Sequence, residues 1–213
     1  MQVHSILDHS RVNGPGLRTV VWLQGCSLQC PGCWNPDTHK HGSGKFYTPS
    51  ELGHRILQGE VSSPLARTLS REIDGVTFSG GEPIEQLDDG LDWVVSLLKA
   101  RRPDLSIGLY TGYSLAELEK GRFRSSANKY RKFPLYKKSE AWTWLRGQLD
   151  FAVMGRYNQL EKDDSRPLCS SKNQELHLFS DRYTPADFEA QSFEVHISDG
   201  GMVQVTGFPP EGL

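Results

Sequence analysis

Three cysteines lie close together near the start of the chain, within residues 25–36. Cys26, Cys30 and Cys33 follow the spacing C-x3-C-x2-C. Thiolates are the ligands that soft metal centres and iron–sulfur clusters prefer, and an odd number of neighbouring thiols cannot pair completely as disulfides. A [4Fe-4S] cluster held by three thiolates keeps one iron open to another ligand, just as an open position distinguishes catalytic from structural zinc. The spacing therefore predicts a metal centre that takes part in a reaction.

A structural zinc site is the alternative interpretation of these cysteines. Three thiolates and one imidazole can close a tetrahedral zinc site, and His39 or His41 could supply the imidazole. The fourth cysteine of the chain, Cys169, lies far from the other three in sequence. We interpret it as a buried or neutral thiol and not as a ligand.

A second candidate binding segment follows a short strand-like run at residues 76–78. The run leads into Gly80, Gly81, Glu82 and Pro83. Two glycines at the end of a strand let the backbone approach a ligand closely, because no Cβ atom intervenes. Glu82 adds a hydrogen-bond acceptor, and Pro83 stiffens the turn. Taken alone, this segment predicts either a ligand-binding turn at a strand end or an ordinary turn.

The two segments together resemble the radical S-adenosylmethionine (SAM) enzymes, and this favours iron–sulfur over zinc. The resemblance implies two cofactors, a [4Fe-4S] cluster and SAM. It implies that the cluster is held by Cys26, Cys30 and Cys33, and the methionine end of SAM by Gly80, Gly81 and Glu82. It also implies a reaction in which the reduced cluster cleaves SAM to a 5′-deoxyadenosyl radical that abstracts hydrogen from a substrate.

Four further segments resemble a narrower group, the activating components of anaerobic ribonucleotide reductase, which are glycyl-radical activating enzymes. These segments are Gly14-Pro15-Gly16-x-Arg18, Cys33-Trp34-Asn35, Thr111-Gly112-Tyr113 and Ser170-x-x-Asn173-Gln174. The resemblance implies that Asn35 and Thr111 lie near SAM and that the substrate is a glycine of a partner enzyme. It also implies a low-potential electron donor such as flavodoxin or ferredoxin. A radical SAM enzyme acting on a small molecule or a peptide remains the alternative.

The sequence departs from this narrower group in its second half. Met154 stands where the group commonly has an aspartate, and Cys169 stands where arginine is common. We predict that Arg156 compensates for the missing aspartate by reaching the SAM carboxylate in a charge-assisted pair.

Composition and charge set the general class of the protein. The 213 residues suffice for one domain with a hydrophobic core, and we predict a single domain over residues 1–213. The net charge of −2 argues against a general nucleic-acid binder. No apolar run approaches the ~20 residues of a membrane span, and residues 1–5 do not read as a signal peptide. Because clustered free cysteines suit a reducing compartment, we expect a cytoplasmic protein without membrane contact.

Predicted strands alternate with predicted helices along most of the chain, which indicates a largely parallel sheet. There are too few such units for a complete eight-stranded barrel. We therefore predict an α/β fold, an incomplete (partial) parallel βα barrel of the radical SAM type with a C-terminal β-hairpin. The cysteine loop should lie at the carboxyl ends of the strands.

Residues 121–148 combine basic and aromatic side chains and read as an insertion relative to the small activating enzymes. Basic residues among aromatic ones can form a docking or nucleic-acid surface. They can also form a solvated helix face whose aromatic side chains pack inward, and we favour this second interpretation.

Overall fold

A computed structural model describes residues 1–59, 73–125, 135–163, 165–188, 193–197, 201 and 203–208. Part of the predicted insertion (126–134) and the turn of the predicted C-terminal hairpin (198–200) lie outside the described residues. Within the described residues the chain forms one seven-stranded sheet, a separate two-stranded sheet, and helices packed against the larger sheet. No helix among these residues is long and apolar enough to cross a membrane.

The parallel centre of the large sheet consists of four strands in spatial order, β2, β4, β5 and β6. Their ranges are Arg18–Leu23, Gly75–Gly80, Ser106–Thr111 and Phe151–Met154. They pair in parallel along their length, so their carboxyl ends meet at the same edge of the sheet. The described part of β2 is buried throughout, as expected for a strand covered on both faces.

Antiparallel strands complete both sides of this sheet. On one side β1 (Gln2–Ser10) pairs with β2, and β3 (Lys45–Phe46) pairs with β1; on the other, β7 (Glu175–Leu178) pairs with β6. The prediction of a mixed α/β fold with a largely parallel sheet is confirmed, whereas a barrel is not. The chain returns to the sheet at β7 in the direction opposite to β6.

Four helices of the described residues have these ranges: α1 Pro49–Gln58, α2 Leu91–Arg101, α3 Leu115–Glu119 and α4 Leu135–Arg146. A capping box formed by Thr48 and Glu51 starts α1, and a second one formed by Ser114 and Glu117 starts α3. A 3-10 segment, Pro83–Asp89, precedes α2. Gly90, at φ 124°, separates this segment from α2.

The main hydrophobic core lies between the sheet and these helices. Leu52 and Ile56 of α1 and the apolar side chains of α2 pack on buried side chains of β2, β4 and β5. A smaller cluster on the other face of the sheet is built around Phe151, Val153 and Cys169. The predicted C-terminal hairpin is present as β8 (Phe193–Ile197) and β9 (Val203–Gly207), paired antiparallel.

Candidate active site

A cavity of about 400 Å³, open to solvent, lies at the carboxyl ends of the four parallel strands. Each of these strands ends at this cavity or leads into a segment that lines it. The cysteine loop follows β2, and Gly155 follows β6. Gly80 ends β4 and is followed by Gly81, and Thr111 ends β5. The cavity volume is in the range of small-molecule and cofactor sites. Loops that meet at this edge of an open α/β sheet commonly carry the ligand site.

The three clustered cysteines all line this cavity. Cys26 is buried, Cys30 and Cys33 are half-buried, and none of them forms a disulfide. Among the described residues, no three His, Cys, Asp or Glu side chains converge as a single metal ion would require. A [4Fe-4S] cluster binds each thiolate through a different iron, so its ligands need to surround one space without converging on one point. The shared cavity and the soft donor set fit such a cluster.

Backbone hydrogen bonds fix where the cysteine loop begins. The Gly25 N–H donates to the Thr38 carbonyl at 2.7 Å, and the Cys26 N–H donates to the His39 carbonyl at 3.1 Å. Within the loop, the Cys33 N–H donates to the Cys30 carbonyl at 3.2 Å. These hydrogen bonds join the start of the cysteine loop to residues 38 and 39, so they all form within residues 25–39.

Burial raises the pKa of two of the three thiols. The pKa of Cys26 rises to about 11, first because burial disfavours the thiolate and then, to a smaller extent, because Glu82 and Glu85 lie nearby. Burial also raises the pKa of Cys33. Iron binding requires thiolates, so cluster uptake must release these protons, and it should proceed more readily at higher pH.

The two glycines of the Gly80–Pro83 segment are packed against the end of β2 and the start of the cysteine loop. A Cβ atom on Gly81 would lie 2.3 Å from the Gly25 carbonyl oxygen, and one on Gly80 would lie 2.6 Å from the Leu23 backbone nitrogen. The Glu82 N–H also donates to the Gly25 carbonyl at 2.8 Å. The absence of a Cβ atom at these glycines therefore lets two backbone segments of the chain lie close together. The close approach of the same glycines to SAM stays a prediction.

Glu82 is fully buried, and its carboxylate faces the end of the neighbouring strand. It accepts hydrogen bonds from the Thr111 hydroxyl at 2.7 Å, the Gly112 N–H at 2.8 Å and the Ile84 N–H at 3.0 Å. Burial raises its pKa to about 7, and these three donors oppose that rise. Glu82 therefore orders the ends of β4 and β5 beside the cavity, and its protonation changes close to neutral pH.

Of the other predicted site residues, Asn35 and Thr111 lie at the cavity, and Arg156 lies in an ion pair beside it. Asn35 and Thr111 line the cavity together with the cysteines. Arg156 is not among the lining residues of the described chain; its guanidinium makes two hydrogen bonds of 2.9 Å with the Glu117 carboxylate and lies over the Tyr113 ring. Hydrogen bonding to Glu117 raises the pKa of Arg156. Contact between Arg156 and the SAM carboxylate stays a prediction, and it requires this ion pair to open.

Two residues that line the cavity each have one buried polar atom without a hydrogen-bond partner within the described residues. These atoms are the Nε2 atom of His39 and the hydroxyl oxygen of Tyr110. Each of these atoms lacks the hydrogen bond that a buried polar group normally makes.

Two motif residues have structural roles away from the cavity. Arg18 is fully buried, and its guanidinium donates to the Thr77 hydroxyl and to backbone carbonyls of Pro15 and Val76. It thereby fastens the glycine-rich loop at residues 13–16 to the sheet. Cys169 is buried in the smaller hydrophobic cluster, as predicted, and does not line the cavity within the described residues.

Sequence reasoning did not single out Glu85, which contacts the cysteine loop directly. Its buried carboxylate accepts hydrogen bonds from the N–H and hydroxyl groups of Ser27. The only sequence signal was a charged residue between the apolar residues Ile84 and Leu87. That signal does not reveal the partner, because Ser27 lies 58 positions away in sequence.

Comparison with known proteins agrees with this site. A family model described as a 4Fe-4S single cluster domain matches residues 12–177. The chain is 29% identical over 181 residues to an anaerobic ribonucleoside-triphosphate reductase-activating protein of Vibrio cholerae, covering 84% of this chain and 99% of that protein. The protein of the same description from Escherichia coli K12 is 32% identical over 120 residues, covering 55% of this chain and 73% of that protein.

The pyruvate formate-lyase-activating enzyme of Clostridium pasteurianum is also similar. It is 35% identical over 122 residues, which cover 57% of this chain and 46% of that enzyme. The match of the family model extends across the cysteine loop and the strands that surround the cavity.

The fold, the site and these matches define a radical SAM enzyme, whose cofactors are a [4Fe-4S] cluster and SAM. More particularly, the chain belongs to the 4Fe-4S single cluster domain family, and within it to the activating enzymes of the glycyl-radical type.

Proposed function

We propose that this protein cleaves SAM reductively and uses the resulting radical to generate a glycyl radical on a partner enzyme such as anaerobic ribonucleotide reductase. The observation that carries the proposal is that the three cysteine thiols and the Gly80–Glu82 turn line one open cavity. The relatives named as activating proteins support a protein substrate. The electron donor that we propose is flavodoxin or ferredoxin, and the compartment is the cytoplasm, where thiols stay reduced.

In this proposal the chain's own residues bind and orient the reactants. Cys26, Cys30 and Cys33 hold the cluster, and Gly80, Gly81 and Glu82 hold the methionine end of SAM. When bound, the cluster and SAM supply one-electron cleavage of a carbon–sulfur bond, which yields methionine and a 5′-deoxyadenosyl radical that takes a hydrogen atom from a glycine Cα. Thr111 orients Glu82 through its 2.7 Å hydrogen bond, and Asn35 lies on the cavity wall near the cysteines.

The open side of the cavity suits a polypeptide substrate. A glycine within a protein must reach the cavity on an extended segment, and a closed pocket would exclude such a segment. The ion pair between Arg156 and Glu117 lies beside Tyr113, and its opening would bring the guanidinium to the SAM carboxylate.

The test is electron paramagnetic resonance on an anaerobic mixture of the reconstituted protein, SAM, a reductant and the anaerobic ribonucleotide reductase of the same source. We expect a glycyl-radical doublet together with 5′-deoxyadenosine. Cys33→Ala should abolish both products, because it removes a cluster ligand, and Cys169→Ala should retain both.

Other outcomes would contradict parts of the proposal. SAM cleavage without a doublet would indicate a different substrate, such as a small molecule or a peptide. Loss of iron in Cys169→Ala would contradict the assignment of three cysteine ligands.

A further inference from the structure

Glu85 connects the turn after β4 to the cysteine loop. Its side chain is 2% exposed and belongs to the 3-10 segment Pro83–Asp89. One carboxylate oxygen accepts the Ser27 N–H at 3.1 Å, and the other accepts the Ser27 hydroxyl at 3.1 Å. Ser27 directly follows Cys26 and precedes Cys30, so both hydrogen bonds act on the backbone that separates these two cysteines.

A histidine from the far end of the cysteine segment completes this arrangement. The His41 Nε2 atom lies 2.9 Å from the same Glu85 oxygen that accepts the Ser27 hydroxyl. The His41 ring also packs against the start of the loop, because a Cβ atom on Gly25 would meet it at 2.7 Å. One buried carboxylate thus joins the first cysteine of the loop to the segment that follows the third.

We propose that Glu85 is a positioning residue for the cluster, which fixes the backbone between Cys26 and Cys30 and places a buried negative charge beside the loop. Hydrogen bonds to a charged acceptor are stronger than neutral ones, so this carboxylate restrains the loop more firmly than a neutral group would. The charge has a second consequence. Reduction adds an electron to the cluster, and a nearby negative charge opposes it, because net charge around a cluster sets its potential.

This inference rests on the proposed role of the cysteine loop, but the test separates the two. Reconstituted wild-type protein is compared with Glu85→Gln, Glu85→Ala, Ser27→Ala and the control Glu119→Gln. Glu119 is an exposed carboxylate paired with Arg146, away from the cysteine loop. The measurements are the rate of iron loss to a chelator and the midpoint potential of the cluster from a redox titration followed by electron paramagnetic resonance.

Glu85→Gln keeps the shape of the side chain and removes its charge. We expect roughly fivefold faster iron loss, because charge-assisted hydrogen bonds become neutral ones, and a less negative midpoint potential. Glu85→Ala should lose iron faster still. Ser27→Ala removes the hydroxyl hydrogen bond to Glu85, so it should accelerate iron loss. Because it keeps the carboxylate, it should not raise the midpoint potential. Glu119→Gln should match the wild type in both measurements.

The deciding variant is Glu85→Gln. An unchanged potential or an unchanged rate of iron loss in this variant would overturn the inference while leaving the proposed function intact. If Glu85→Gln failed to fold, an unchanged rate of iron loss in Ser27→Ala would overturn it. Wild-type protein that took up no cluster would overturn the proposed function itself, and the inference with it.

Discussion

At the scale of single residues, Glu82 shows how a ligand-binding motif also serves the fold. Its carboxylate is fully buried and accepts hydrogen bonds from Thr111, Gly112 and Ile84, so one side chain joins the ends of β4 and β5. Burial nevertheless raises its pKa from 4.5 to about 7. The protonated form is therefore favoured in the folded protein relative to the unfolded chain.

This shift predicts how stability depends on pH. A carboxyl whose pKa is raised in the folded state contributes its stabilisation fully below pH 4.5 and loses it as the pH rises through about 7. We expect the free energy of unfolding of the metal-free protein to fall over this window by up to about 3 kcal/mol more than in Glu82→Gln. Urea unfolding at several pH values gives the free energy of unfolding of the wild type and of Glu82→Gln. Equal pH dependence in the two proteins would show that the Glu82 pKa is not raised.

At the scale of secondary-structure elements, α4 shows how the described end of residues 121–148 packs. This helix contributes Trp142 and Leu145 to the main core, and the Trp142 ring packs edge-on against Phe179. Trp144, two positions further along, is 38% exposed. The interpretation as a helix face with aromatic side chains packed inward is correct for Trp142. Trp142 and Leu145 thus anchor α4 in the main core.

The two tryptophans of α4 form a matched pair for testing this. Trp142→Ala removes a fully buried ring, and we expect it to lower the free energy of unfolding by about 3–5 kcal/mol. Trp144→Ala removes a partly exposed ring and should cost well under half as much. Denaturant unfolding measures both variants. Similar losses in the two would contradict the placement of α4 in the core.

At the scale of the whole molecule, the C-terminal hairpin closes one side of the active-site cavity. Residues 204–208 line the cavity, and the Glu194 carboxylate accepts hydrogen bonds from the Ser10 hydroxyl at 2.8 Å and the Arg11 N–H at 3.0 Å. The Asn13 side chain donates to the Thr206 hydroxyl at 3.0 Å. The hairpin also presents exposed apolar side chains, which are Phe193, Val195, Ile197, Val203 and Val205.

Glu194 should control how firmly the hairpin is held. In Glu194→Ala the Ser10 and Arg11 donors lose their acceptor, and we expect hydrogen-exchange protection of the β8 and β9 amides to fall about tenfold. Protection in the parallel strands should not change, and neither should protection of the hairpin in Glu140→Ala, which alters an exposed residue of α4. Unchanged hairpin protection in Glu194→Ala would show that other contacts hold it.

The sequence by itself determined the features that depend on short-range spacing. The cysteine spacing, the Gly80–Pro83 turn, the capping boxes of α1 and α3 and the burial of β2 all follow from neighbouring residues, because ligand spacing and backbone conformation are local properties. Only the tertiary structure decided which long side chains meet. It paired Arg156 with Glu117, buried Arg18 beneath the glycine-rich loop, and brought Glu85 to Ser27. It also made β1, β3 and β7 antiparallel, since strand direction depends on how the chain returns to the sheet, which the pattern within a strand does not encode.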